Sequence, residues 1–159
     1  MPDVLVGVGS NADPARGLRV AVAELTQRFG VVRCSSVYRS AAVAAAGADY
    51  LNLVMAFVTA EPIGALRDAL RAIEERAGRR RDDPTICALD LDVLCYGACV
   101  DAALRLPRAG LFTLPFVLGP VAELAPEFKH PLTGQSSRAA WQAAPRSALE
   151  NVGALRSLG

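Results

Sequence analysis

Apolar spacing from Val4 to Tyr96 alternates between two periods in a fixed order, and that order restricts the fold more than any other feature. "VLVGVGS" (Val4 to Ser10) is a β-rich run ending in turn residues. The next stretch places Leu18, Val22, Leu25 and Phe29 on one helical face. Asp13 stands at the N-cap position, Pro14 at the first helical position, and Gly30 as a stop. "VVRCSSVYRS" (Val31 to Ser40) and "YLNLVMAFVTA" (Tyr50 to Ala60) read as strands. "PIGALRDALRAIEERAG" reads as a second helix, and "CALDLDVLCY" as the next strand. Strand, helix, strand, strand, helix, strand predicts an α+β fold with a ferredoxin-like βαββαβ core. Its sheet is mostly antiparallel, with both helices packed on one face.

Beyond Tyr96 the pattern weakens. "PFVLGPVAELAPEF" predicts a short helix broken by prolines, and the tail from Thr133 reads as peripheral. No linker or strong repeat divides the 159 residues, so the expectation is one domain over 1–159.

Composition narrows the function classes. With 52% hydrophobic and 21% charged residues, the chain reads as globular. A formal net charge of +1 gives no global attraction to nucleic acid or to a membrane surface. The expectation is a cytoplasmic protein without nucleic-acid or membrane partners, because no signal-like leader or membrane-length apolar run is present. The four cysteines show no CxxC spacing and lie far from the single histidine, so they read as reduced, small hydrophobic residues.

Against that background "ALDLDVLCYG" stands out. Asp90 and Asp92 are two apart within a strand, so they share a face, roughly 6.5 to 7 Å apart at the backbone. Leu89, Leu91 and Val93 take the other face. Adjacent carboxylates repel unless a cation, a proton or a basic group lies between them. Oxygen ligands of this kind suit Mg²⁺, which takes one or two carboxylates and shares its other positions with water and phosphates. A solvated outer face would carry the same pattern. The preceding loop holds Arg79, Arg80 and Arg81, residues able to clamp phosphate. "GVGSN" has neither the spacing nor the lysine of a P-loop.

Taken together, "VGVGSN", "SSVYRS", "DYLN", "IEERAGR", "LDLDVLCYG" and "FVLGPVAELAP" resemble, in order and spacing, the 6-hydroxymethyl-7,8-dihydropterin pyrophosphokinase family of folate biosynthesis. The resemblance runs from about Val4 to His130. It implies transfer of the β,γ-pyrophosphoryl unit of ATP to a pterin hydroxymethyl group, with release of AMP, by a monomer. It implies two Mg²⁺ ions on Asp90 and Asp92. It implies a pterin stacked between Tyr50 and Phe116, read by Asn52, and hydrogen-bonded along Ser40, Ala41 and Val43. Arg79 and Arg81 match arginines of the family's catalytic loop, and Glu74 and Arg108 fall with them on the nucleotide side.

The nucleotide half departs from the family pattern. Where the family has an arginine just before LDLD, this chain has Cys87, or Thr85 if aligned on Pro84. Arg108 replaces a histidine, and Gly110 and Leu114 replace arginines. Alanines fill the loop from Ala41 to Ala48, where the family has a proline-rich turn. Three functions fit: a divergent pyrophosphokinase, a paralogue using another pterin or donor, or a non-catalytic pterin-binding protein.

Overall fold

The computed structural model describes residues 1–42, 47–80, 82–145 and 147–158. Strand β1 (Asp3–Ser10) leads into helix α1 (Pro14–Phe29), followed by the short strands β2 (Arg33–Cys34) and β3 (Val37–Ser40). Strand β4 (Tyr50–Val58), helix α2 (Ile63–Arg76) and strand β5 (Asp90–Tyr96) complete the first two-thirds of the chain. Helices α3 (Pro115–Leu124) and α4 (Ser137–Ala143) and strand β6 (Glu150–Gly153) follow. The sheet order is β5-β1-β4-β3-β6, with β2 also pairing β4, and every pairing is antiparallel. This is the expected α+β, ferredoxin-like arrangement.

One face of the sheet carries Val4, Val6, Val8, Leu53, Met55, Phe57, Leu91 and Val93 against Leu18, Leu25, Leu66, Leu70 and Ile73 of α1 and α2. Burial of this apolar area is the main stabilising term. The other face is covered only in part. There Leu5, Val54, Ala56, Leu94 and Cys95 pack against Leu111 and against Val117 and Val121 of α3. A register shift between β1 and β5 at Leu5/Val6 adds Leu94 as an extra residue, so Leu94 and Cys95 both join this second cluster. Where α3 does not reach, the sheet face stays open.

Several local details differ from the sequence expectations. The run Val31 to Ser40 forms two strands, because Ser35 interrupts it. Ser35 bonds Val54 through both its amide, at 2.9 Å, and its hydroxyl, at 3.0 Å. Asp13 sits at the α1 N-cap in a left-handed conformation (φ 48°) and makes no side-chain cap. Helix α3 is continuous across Pro120. Pro120 deletes one helix hydrogen bond, but burial of Val117, Leu118 and Val121 holds the turn. The tail is not peripheral: α4 packs on α3, and β6 extends the sheet beyond β3.

Candidate active site

The antiparallel register lines up one row of residues across four strands. Tyr38 lies opposite Asn52, Asn52 opposite Gly9, and Gly9 opposite Asp90. Two residues along, Asp92 lies opposite Gly7. Directly opposed residues of an antiparallel pair project to the same face. Asn52, Asp90 and Asp92 therefore share the open face, separated by two glycines. A Cβ at Gly9 would lie 3.3 Å from Asn52 Oδ1 and 3.6 Å from the Tyr50 ring. The missing side chains leave a floor of bare backbone in a cavity of about 340 Å³.

The two ends of this cavity differ in chemistry. On the β3–β4 side stand Ser40 and Asn52, and Ala41, Tyr50 and Phe116 line the same cavity. Asn52 is buried, and its amide nitrogen donates to Tyr38 O at 3.2 Å and Ser40 Oγ at 2.8 Å. A backbone carbonyl only accepts, which fixes the orientation of the amide. Asn52 Oδ1 is thus left facing Gly9 and the cavity, an acceptor for a ligand N–H. The Tyr50 hydroxyl is pushed up to about 12 by burial, with Cys87 and Asp90 adding to the shift, so it stays protonated. Val43, the remaining predicted contact at this end, lies outside the described residues.

At the other end are Asp90, Asp92 and Arg108. Burial, reinforced by the neighbouring Asp90, raises the Asp92 carboxyl to about 7 despite Arg108. Arg108 Nη1 lies 3.3 Å from Asp92 Oδ1. Among the described residues no three His, Cys, Asp or Glu side chains gather as a metal centre. The chain thus offers an aspartate pair open to the cavity, with Arg108 beside Asp92. That donor set fits Mg²⁺, a hard cation that completes its shell with phosphate and water.

Glu74 and Arg79 stand behind this end and do not line the cavity. Glu74 is buried, and its carboxylate accepts the Leu91 N–H at 2.8 Å and pairs with Arg79. Burial raises its pKa, against the pull of the Leu91 amide and Arg79. It caps an amide on β5 between the two aspartates, so it positions that strand and Arg79. Arg81 lies outside the described residues.

The loop before β5 borders the cavity at two of the positions the sequence singled out. Pro84 and Thr85 line the cavity, whereas Cys87 does not. The acidic pair beside them is satisfied locally. Arg80 pairs with Asp82 at 2.9 Å, and Asp83 accepts the Thr85 amide and hydroxyl at 2.9 and 2.7 Å.

Asn11, in the GVGSN motif, ties two loops beside the cavity together. Its Oδ1 accepts the Cys87 amide at 2.6 Å, and its Nδ2 donates to Thr85 O at 2.8 Å and Ala48 O at 3.4 Å. The signal for it was the motif itself, an Asn at the end of β1 where loops converge. A wider groove of about 740 Å³, along Val31, Val58 and Phe128, carries none of the sequence-predicted residues.

Known proteins resemble this chain in sequence and in fold. Residues 5–126 match the family model described as 7,8-dihydro-6-hydroxymethylpterin-pyrophosphokinase (HPPK). A 2-amino-4-hydroxy-6-hydroxymethyldihydropteridine pyrophosphokinase from Synechocystis sp. is 37% identical over 138 residues, covering 83% of this chain and 71% of that protein. One of the same name from Methylorubrum extorquens is 35% identical over 161 residues, covering 96% and 99%. A crystal structure of Plasmodium falciparum HPPK-DHPS with pteroate superposes with a TM-score of 0.69 at 10% identity over 89% of this chain. That likeness is one of fold, and this chain spans 44% of the length of that larger one. The matched span takes in β1 through α3, every element that builds the cavity, and the chain belongs to the 7,8-dihydro-6-hydroxymethylpterin-pyrophosphokinase family.

Proposed function

We propose that this chain is an ATP-dependent transferase that moves the β,γ-pyrophosphoryl unit of ATP onto the hydroxymethyl group of 6-hydroxymethyl-7,8-dihydropterin. The observation that carries this reading is the row Asn52–Gly9–Asp90. It sets an amide acceptor for a heterocycle edge and a carboxylate for a phosphate-bound cation at opposite ends of one bare floor. In the reaction the hydroxymethyl oxygen attacks Pβ and loses its proton to solvent. The Pα–O–Pβ bond breaks, and its oxygen leaves with AMP.

Each group has a physical task. Asn52 Oδ1 and Ser40 hold the pterin edge, and Tyr50 and Phe116 supply ring contact area. Asp90 and Asp92 would hold Mg²⁺, most simply as two ions, which neutralises phosphate charge when bound. Arg108, which lines the cavity, supplies guanidinium charge toward the triphosphate; Arg79, paired with Glu74 outside the lining, and Arg81 take that role by resemblance to the family. Such transfer depends mainly on positioning and charge neutralisation. The reading carries a single domain, a monomer and a cytoplasmic setting. These come from the resemblance to the family; no described helix is long and apolar enough to cross a membrane.

The test is a product assay with 6-hydroxymethyl-7,8-dihydropterin, ATP and Mg²⁺, resolving AMP, ADP and pterin diphosphate by chromatography. AMP formed in step with pterin diphosphate is the expected result. No turnover with retained pterin binding would leave a binding protein; ADP in place of AMP would mean a different transfer.

A further inference from the structure

We propose that Arg108 is an internal counter-ion that occupies the cation position on Asp92 until a polyphosphate draws it away, so that divalent metal loads efficiently only together with nucleotide. The inference rests on the aspartate seat of the preceding reading and adds a device that this chain's own residues build.

Three observations support it. Arg108 Nη1 lies 3.3 Å from Asp92 Oδ1, and the two side chains are 43% and 30% exposed. The pair therefore sits at the cavity wall, within reach of a ligand. Second, the backbone under Arg108 is anchored. Its N–H donates to Leu94 O at 2.9 Å, its carbonyl accepts the Leu111 amide at 3.2 Å, and Leu106 and Leu111 on either side are buried. Only the side chain is free to change partner. Third, among the described residues the guanidinium is the ion-pair partner shown for Asp92, and arginine stays charged. It must be displaced by competition.

The competition is asymmetric. A metal arriving alone must separate Arg108 from Asp92 and leave the guanidinium with water. A metal arriving with a triphosphate offers that guanidinium a phosphate partner of equal or better geometry. Metal and nucleotide therefore each strengthen the other's binding, and by linkage the factor is the same in both directions. A neutral side chain at 108 would remove the conflict and the share of the coupling that comes from it, leaving the share that comes from metal–phosphate contact.

The experiment uses Mn²⁺ alone as a spectroscopic stand-in for Mg²⁺, titrated by electron paramagnetic resonance into the full chain. It is run with and without the non-cleavable analogue α,β-methylene-ATP. Arg108→Met is expected to bind Mn²⁺ alone at least about fivefold more tightly than the wild type, within the usual range of coupling between sites. The enhancement of Mn²⁺ affinity by the analogue should shrink by a similar factor, and Arg108→Lys, which keeps a cation, should stay close to wild type. Unchanged or weaker Mn²⁺ binding by Arg108→Met, with Asp92→Asn still abolishing it, overturns the counter-ion role and spares the aspartate seat. Unchanged Mn²⁺ binding in Asp92→Asn removes the seat, and the counter-ion role with it.

Discussion

Asn52 and Asp90 stand opposite the same residue, Gly9, on the two sides of β1. The two ends of the site are thus set by strand register, and a single backbone position mediates between them. Gly9→Val should fill the floor, since even a Cβ there lies 3.3 Å from Asn52 Oδ1. Pterin affinity measured calorimetrically should fall at least about tenfold, equivalent to about 1.4 kcal/mol. The melting temperature should hold, because valine suits a strand.

Asp92 makes the stability of the metal-free protein depend on pH. Folding raises its carboxyl from 3.8 to about 7, so between those values the folded chain keeps a proton that the unfolded chain releases. That stabilisation is complete below the unfolded value and is lost as pH rises through about 7. In EDTA, Asp92→Asn should melt a few degrees higher than wild type at about pH 8. The two should converge in acid. Mg²⁺ with nucleotide should raise the wild type at the same high pH and leave the variant unmoved. Equal melting curves at both pH values would count against the aspartate pair.

Asn11→Ala removes the tie between the loops at Ala48 and at Thr85–Cys87. The buried-facing Cys87 amide loses its 2.6 Å partner, a cost of about 1–3 kcal/mol. Amide exchange at Cys87 should quicken, and KM should rise for both substrates. Asn11→Asp keeps the acceptor for Cys87 and loses the donor to Thr85 O, so it should protect that amide and still loosen the Thr85 loop. Slow exchange at Cys87 in Asn11→Ala would mean the loop is held by other contacts.

Phe116 lines the cavity and also packs on the second core cluster. Phe116→Ala should weaken pterin binding far more than ATP binding, as judged by parallel calorimetric titrations. Equal loss of both, with a lower melting temperature, would assign the ring to packing.

The element order was legible because the period of two and the period of 3.6 are both strong between Val4 and Tyr96. The break at Ser35 was not, since alternating Val31 to Ser40 looks the same whether Ser35 pairs by ladder or by hydroxyl to Val54. Strand β6 was invisible for a different reason. "ENVG" has little strand preference, and the strand exists by adding to the β3 edge, where Glu150 pairs with Arg39 at 3.1 Å. In the site, the shared face of Asp90 and Asp92 followed from spacing alone. The Asn52–Ser40 bond, the Glu74 cap on Leu91 and the Arg108–Asp92 pair join residues distant in sequence, so no local pattern announces them.

The glycine floor also bears on inhibition. A flat ligand lying on the peptide planes of Gly7 to Gly9 touches atoms that no side-chain substitution can delete. Resistance must then come from adding bulk, and at Gly9 added bulk presses on the same Asn52 oxygen the natural substrate would use. A compound confined to that footprint leaves the protein few escape routes that do not also injure its own chemistry.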